Sequence, residues 1–391
     1  MVPVDPDSGD PDGAILMGTA EAREFHQALP GYRPTRLVQV PKLAAELGIA
    51  RVWVKDETER FGLPAFKAMG ASWAVAVALA QHLGEELHPG QGLDGLRRLV
   101  GDRRLTLATA TDGNHGRAVA WMARQLGLGA CILVPEGIPA AAAAAIRGEG
   151  AEVRVAGNTY DAAVAEAARL ASDEVLIVSD TSWEGYTDVP AAVLDGYGTI
   201  LHEVGDQLRA AGAEWPRVTV VQVGVGSLAT AVVRGVRAQA RDGLVLSVEP
   251  DGSDSLRRSL LAGRPVEVPG PHASVMAGLN CGSVSPLAWP ELADGIASAV
   301  SVTDTDALRG VDALREAGID AGPCAGAGVA GIAAVMGYEA EAGRLGIGIQ
   351  DEVLLFATEG AAAVTSPRGA GGARLLARAR RAFGRARPAS S

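Results

Sequence analysis

The sequence predicts an α/β fold built on parallel sheets, and three observations lead to this prediction. Eight short runs rich in β-branched residues have the length and composition of buried strands. Ala-rich stretches of helical length separate these runs, and such alternation is typical of parallel sheets. Many runs end in Gly, Asp, Asn or Thr just before the next helix. Because ligands of open α/β sheets bind at the carboxyl ends of the strands, these polar positions are candidate site residues.

The predicted elements follow one another from residue 51 to residue 360. The predicted strands are 51–57, 105–111, 130–135, 151–156, 174–180, 218–224, 244–250 and 352–360. The predicted helices are 71–83, 116–126, 160–172, 228–240 and 329–342. The Ala-rich segment 139–150 lies between two strands and has the composition of a surface helix. A chain of 391 residues with this pattern has room for two or three domains.

Composition excludes several classes of protein. The net charge of −11 argues against a nucleic-acid partner, and the Arg-rich C-terminal end is more typical of a solvated or loosely docked helix. Cys131, Cys281 and Cys324 are widely separated and there is no clustered His, which argues against a zinc site and a disulfide framework and fits a reducing compartment. The N-terminus lacks signal-peptide features, and no apolar stretch has the length of a membrane span. We therefore expect a cytoplasmic protein without a membrane partner.

One lysine has an unusual setting. Lys67 lies in "RFGLPAFKAMGAS" (60–72), among apolar and small residues and with no carboxylate within four positions. Its stem can cover apolar surface while the ammonium group stays in water. Alternatively, desolvation lowers the pKa of the amine, which is then available to react.

A glycine-containing turn joins a predicted strand to a helix. It reads Gly224-Val225-Gly226-Ser227-Leu228, which is neither a dinucleotide-binding GxGxxG nor a Walker loop. Such a turn is either purely structural or a phosphate-binding cup, because the backbone can approach an anion and the helix N-terminus attracts it.

Polar residues also follow three other predicted strands. Asp112 and Asn114 come after the second strand, Asp180 after the fifth, and Thr358 near the end of the last. Each can simply cap a helix or shape a turn. The aromatic residues that follow Asp180, in 183–186, either pack the loop or line a pocket. A reactive lysine together with a phosphate cup points to pyridoxal 5′-phosphate held as a Schiff base.

The chain resembles a known enzyme family. The motifs appear in the order of the fold-type II pyridoxal-phosphate enzymes (the tryptophan synthase β and threonine dehydratase group), and within this group they are similar to the diaminopropionate ammonia-lyase family. The resemblance covers roughly residues 34–360. The motifs are "KDETERFGLPAFKAMGA", "TDGNHGRAVAW", "GNTYDAAV", "SDTSWEGY", "GVGSL" and "VMAGLNCGSVSPLAWP".

The resemblance implies a cofactor site. Lys67 would form the Schiff base and Phe66 would pack against the cofactor ring. Asn114 would donate a hydrogen bond to the 3′-oxygen of the cofactor. The backbone of Gly224, Val225, Gly226, Ser227 and Leu228 would hold the phosphate. Thr358 would face the pyridine nitrogen.

The resemblance also implies a reaction and an architecture. Asp112 and Asp180 match the acid/base carboxylates for α,β-elimination of 2,3-diaminopropionate to pyruvate and two ammonia. Two open parallel-sheet α/β domains would enclose the cofactor in their cleft, and the protein would be a homodimer. A small domain at 70–185 would be inserted into a large domain made of 16–69 and 186–368. The ends, 1–15 and 369–391, would be flexible tails.

Two departures leave the substrate open. Gly326 and Ala327 stand where the family tends to have an acidic turn, and Ala361–Ala363 stand where acidic residues usually follow "TEG". Without these carboxylates the protein could lose recognition of a substrate whose β-amino group is positively charged. Two alternatives therefore stay open. The protein could act on another β-substituted amino acid by dehydration or β-replacement, for example in a specialised pathway, or it could be a catalytically silent binding or regulatory homologue.

Overall fold

The computed structural model describes residues 20–111 and 113–363, which form two sheets flanked by helices. The predicted tails at 1–15 and 369–391 lie outside these residues. The strands are β1 (Leu37–Gln39), β2 (Arg51–Asp56), β3 (Thr106–Ala110), β4 (Gly129–Val134), β5 (Glu152–Val155), β6 (Val175–Ile177), β7 (Val218–Gln222), β8 (Leu244–Pro250), β9 (Ile296–Val302) and β10 (Glu352–Ala357). All eight predicted strands are present.

The α-helices of the described residues alternate with these strands. They are α1 (Ala20–Ala28), α2 (Pro41–Leu47), α3 (Lys67–Leu83), α4 (Gly92–Val100), α5 (Asn114–Leu126), α6 (Ala140–Gly148), α7 (Tyr160–Ala168), α8 (Asp188–Ala210), α9 (Ser227–Gln239), α10 (Ser255–Ala262), α11 (Trp289–Gly295), α12 (Asp304–Glu316), α13 (Pro323–Gly337) and α14 (Glu339–Leu345). None of them, within the described ranges, has the length and apolar character needed to cross a lipid bilayer.

The larger sheet has six strands in the order β1-β2-β10-β7-β8-β9. Its four central strands were predicted, because they are buried on both faces and read as apolar runs. The two edge strands were not predicted. β1 is three residues long and runs antiparallel to β2, and most of β9 is only partly buried. Short and half-exposed edge strands lack the continuous apolar run that marks a central strand.

The smaller sheet has four parallel strands in the order β5-β4-β3-β6. Ala108 of β3 pairs with Cys131 of β4 on one side and with Ile177 of β6 on the other. Because the strands are parallel and in register, their carboxyl ends meet at one edge. The segments that follow β3 and β6 therefore lie side by side, although they are far apart in sequence. The α/β fold with parallel sheets is confirmed.

Helix α3 starts earlier than predicted, at Lys67 rather than at residue 71. It packs closely on α8, where a side chain at Gly196 would lie 2.5 Å from the Met69 carbonyl oxygen. The predicted boundary between residues 69 and 70 falls inside this helix, and the domain boundaries stay a prediction.

The predicted helix at 329–342 is two helices, α13 and α14, which are separated at Tyr338. Helix α13 already begins at Pro323 and crosses α12 at very short range. A Cβ atom on Gly326 would lie 2.1 Å from the Ala307 carbonyl oxygen. Position 326 therefore needs glycine, and its neighbour Ala327 is fully buried in the core. Of these two departures from the family pattern, Gly326 is a packing position between two helices and Ala327 is a core position.

Candidate active site

A cleft of about 730 Å³, counting the part open to solvent, lies at the carboxyl ends of strands from both sheets. Every predicted site residue that the structure describes lines it. They are Phe66, Lys67, Asn114, Asp180, Gly224, Val225, Gly226, Ser227, Leu228 and Thr358. The predicted Asp112 lies outside the described residues.

Two sets of backbone hydrogen bonds position Lys67 in this cleft. Arg60 and Leu63 exchange backbone hydrogen bonds around a tight turn, and Phe61 adopts a left-handed φ of 55° in that turn. The next residues run antiparallel to the end of β10, where the Phe66 N–H donates to the Thr358 carbonyl at 3.3 Å. Helix α3 then begins at Lys67, so that the amine stands at the start of a rigid element.

The amine of Lys67 forms an ion pair. Its Nζ donates to Asp180 Oδ2 at 2.7 Å, and the Lys67 side chain is only 19% exposed. Burial acts to lower the pKa of Lys67, but the adjacent carboxylate of Asp180 outweighs it, so that the pKa is raised. The expectation of a lowered pKa is therefore wrong for the cofactor-free protein. Local sequence showed the apolar setting but not a carboxylate that is 113 residues away.

Asp180 is held from several sides. Tyr160 Oη donates to Asp180 Oδ1 at 2.7 Å, and Ser227 Oγ donates to the Asp180 carbonyl oxygen at 2.7 Å. His115 Nδ1 lies 3.9 Å from Asp180 Oδ2, and its Nε2 donates to a backbone carbonyl. Burial acts to raise the pKa of Asp180, but the charge of Lys67 outweighs it and holds that pKa well below the usual range. This carboxylate is therefore ionised and fixed in orientation.

The glycine turn after β7 forms a cradle at the N-terminus of α9. Gly226 has a φ of +101°, and a Cβ atom there would lie 2.7 Å from a methyl group of Leu292. The first N–H groups of a helix have no partner within the helix, and the helix dipole makes this end positive. Backbone groups at Ser227 and Leu228 therefore face the cleft as an anion site, which fits a phosphate group.

Three buried polar atoms of cleft-lining residues have no hydrogen-bond partner among the described residues. They are Thr358 Oγ1, Gln222 Oε1 and His115 Nδ1. Unsatisfied buried polar groups are uncommon in folded proteins. A ligand with polar ring atoms would pair with them, and the residues present therefore fit a pyridoxal phosphate group.

Asn114 is the first residue of α5 and projects toward the end of β10. Its Nδ2 donates to Glu359 Oε2 at 2.9 Å, while Glu359 Oε1 accepts from the Cys324 N–H at 3.1 Å. Burial raises the pKa of Glu359, although its hydrogen bonds and the charge of Lys67 oppose the shift. The two sheets are thus joined at the cleft by a side-chain contact.

Several further residues line the cleft without a role predicted from the sequence. They are Thr111, Gly113, His115, Tyr160, Gln222, Gly278, Leu279, Cys281, Cys324 and Glu359. A signal existed for Tyr160 and His115, which lie inside quoted motifs, and for Gln222, a polar residue in a buried strand. The aromatic pair Trp183 and Tyr186 packs the loop instead, with ring centroids 4.1 Å apart, and does not line the cleft.

Comparison with known proteins agrees with the enzyme family that the motifs predict. A family model described as "Pyridoxal-phosphate dependent enzyme" matches residues 28–356. The diaminopropionate ammonia-lyase of Escherichia coli K12 is 39% identical over 298 residues, which cover 75% of this chain and 74% of that protein. The enzyme of the same name from Salmonella typhimurium LT2 is 34% identical over 358 residues, or 87% and 88% of the two chains. A crystal structure of the E. coli enzyme with D-serine superposes with a TM-score of 0.80 at 34% identity and covers 88% of each chain.

Proposed function

Because the chain belongs to the pyridoxal-phosphate-dependent enzyme family, we propose that it catalyses the α,β-elimination of 2,3-diaminopropionate to pyruvate and two molecules of ammonia. The curated relatives of that name, at 34–39% identity over most of the chain, support this substrate. The acidic and basic side chains that line the cleft provide support that is independent of the names of these relatives.

Two carboxylates of the described residues, Asp180 and Glu359, line the cleft. Among the described lining residues, Lys67 is the only Lys or Arg. Burial lowers the pKa of His115, so that it adds no positive charge near neutral pH. The described lining therefore carries two acidic side chains against one basic side chain, and the basic one is the proposed cofactor lysine. A β-substituent that is an ammonium group fits this charge, whereas a β-phosphate or β-carboxylate is repelled.

We assign the cofactor contacts from the family resemblance and the lining of the cleft. Lys67 would hold pyridoxal phosphate covalently, Phe66 would pack against its ring, and Asn114 would donate to its 3′-oxygen. The turn from Gly224 to Leu228 would bind the phosphate, and Thr358 would face the ring nitrogen. The bound cofactor supplies an electron sink for the carbanion that forms when the α-proton leaves.

The residues around the cofactor would move the protons. The 2.7 Å hydrogen bond from Lys67 Nζ to Asp180 Oδ2 keeps the amine and the carboxylate within proton-transfer distance of each other. Tyr160 stabilises the ionised form of Asp180 and fixes its direction. Lys67, Asp180 and, by its motif alone, Asp112 are the proposed acid/base groups. The protonated β-amino group then leaves as ammonia.

A substrate panel tests this function. Purified protein is incubated with D- and L-2,3-diaminopropionate, serine, threonine, O-acetylserine and O-phosphoserine, and both pyruvate and ammonia are measured. We expect turnover of diaminopropionate with two ammonia per pyruvate and no turnover of O-phosphoserine. Lys67→Ala is the control that should abolish both products. Turnover of another amino acid without turnover of either diaminopropionate enantiomer would overturn the proposal.

We further propose that the protein is a cytoplasmic homodimer with a small domain at 70–185. The family resemblance supports the dimer and the domain, and the cysteine usage supports the compartment. Light scattering of the purified full-length chain measures the oligomeric state directly.

A further inference from the structure

Glu359 is a buried carboxylate whose two oxygens are used in different directions. The residue lies two positions beyond the end of β10 and is 2% exposed. Oε1 accepts from the Cys324 N–H at 3.1 Å, and Oε2 accepts from Asn114 Nδ2 at 2.9 Å. A carboxylate held at both oxygens cannot rotate freely, so that its orientation is fixed by the protein.

The chain is built to accommodate this carboxylate. Helix α13 has no capping side chain of its own, because Gly322 occupies the capping position. Glu359 takes over by accepting the N–H of Cys324 in the first turn, where a negative charge is favourable. A Cβ atom on Gly322 would lie 2.9 Å from Glu359 Cγ and Oε1. The absent side chain at position 322 therefore leaves the space that the carboxylate fills.

The fixed carboxylate determines how the amide of Asn114 is turned. Both oxygens of Glu359 act as acceptors in these two contacts, so that the amide presents its nitrogen, and not its oxygen, to Glu359. An amide nitrogen carries two hydrogens, and only one of them is used in this contact. We propose that Glu359 is a positioning residue that turns the Asn114 amide so that its second N–H is presented to the 3′-oxygen of the cofactor. The inference rests on the role proposed above for Asn114.

The decisive variants separate this role from a merely structural one. The full-length protein is stripped of cofactor and titrated with pyridoxal phosphate, and the visible absorption band of the loaded protein is recorded. For E359Q we expect about tenfold weaker cofactor binding and a shifted band, because a glutamine side chain can present either end to the amide. Combining E359Q with N114A should add little to the effect of N114A, since both changes act through one hydrogen bond.

Glu249 offers a matched control. It is fully buried and accepts the N–H groups of Leu256 and Arg257 at 2.8 Å each, at the start of α10. It does not line the cleft. We expect E249Q to lower the free energy of unfolding while the cofactor affinity and the absorption band stay at wild-type values.

A swapped pair keeps the proposal testable if E359Q alone folds poorly. In E359Q/N114D a donor and an acceptor again face each other, so that the thermal unfolding midpoint should recover. Position 114 then has no N–H for the cofactor, and the affinity should remain at least about tenfold weakened. Recovery of affinity together with stability would overturn the proposal, as would a folded E359Q protein with wild-type affinity and band. Wild-type protein that binds cofactor but does not convert diaminopropionate would instead overturn the proposed function, and the comparison among variants would still decide the role of Glu359.

Discussion

The ion pair between Lys67 and Asp180 makes a quantitative prediction for the cofactor-free protein. The perturbation is a double-mutant cycle with Lys67→Met and Asp180→Asn, which remove one charge each and keep the side-chain volumes similar. The cycle isolates the interaction between the two groups from the other effects of each substitution.

The geometry sets the expected size of the coupling energy. Two unit charges about 4 Å apart interact by about 4 kcal/mol at an effective dielectric constant of 20. The Lys67 and Asp180 side chains are 19% and 6% exposed, so that solvent screens the pair only in part. We expect a coupling energy of about 2 to 3 kcal/mol near pH 7, at the upper end for contacting residues.

The pH dependence follows from the two pKa shifts. The pKa of Asp180 is lowered by Lys67, so its contribution to stability is present above the ordinary pKa of aspartate and is lost as the pH falls below it. The pKa of Lys67 is raised by Asp180, so its contribution is present below the ordinary pKa of lysine and is lost at more alkaline pH. The coupling energy should therefore be constant between about pH 5 and pH 9.

The assay is urea unfolding of the four cofactor-free proteins at several pH values. The exposed pair Arg97 and Asp94 of α4, with a 2.9 Å contact and side chains 48% and 77% exposed, is the matched control and should couple by less than about 0.5 kcal/mol. A Lys67–Asp180 coupling no larger than this control would refute the electrostatic account of the site.

Two further predictions concern the phosphate cradle and the core. Gly226→Ala should weaken pyridoxal phosphate binding at least about tenfold, because φ is +101° and the added methyl group collides with Leu292; unchanged affinity by titration would contradict the assigned cradle. His26 is buried, donates from Nε2 to the Met69 carbonyl and accepts at Nδ1 from Thr199, and burial lowers its pKa to about 3. The wild type should therefore lose stability as the pH falls below about 6.5, and the deficit of His26→Gln at pH 7 should shrink by about 2 kcal/mol at pH 5. A deficit that is the same at both pH values would show that His26 does not titrate as inferred.

The ion pair changes how the apolar setting of Lys67 is understood. The surrounding Ala, Gly and Phe residues exclude water, and this strengthens the attraction to Asp180 as well as desolvating the amine. In the cofactor-free protein the attraction dominates and keeps the amine charged. The same 2.7 Å contact keeps a carboxylate within proton-transfer distance of the amine. The apolar segment and the distant carboxylate therefore act together.

The sequence by itself determined the local features of the site. A lysine in an apolar segment, a glycine turn before a helix and polar residues after strands are all readable over a few residues, because backbone conformation and burial of a single strand depend on neighbouring residues. All ten predicted cleft residues that the structure describes line the same cleft for this reason: the carboxyl ends of parallel strands converge.

The tertiary structure decided which of these groups meet and what their charges do. Asp180 pairs with Lys67 across 113 residues, and Glu359 meets Asn114 across 245 residues. Neither pairing has a periodicity or a spacing that a sequence can display, because each depends on the order of strands in a sheet and on where the two sheets lie relative to each other. The sign of the pKa shift at Lys67 follows from such a contact. The sign of this pKa shift therefore cannot be predicted from the sequence around Lys67 and requires the folded structure.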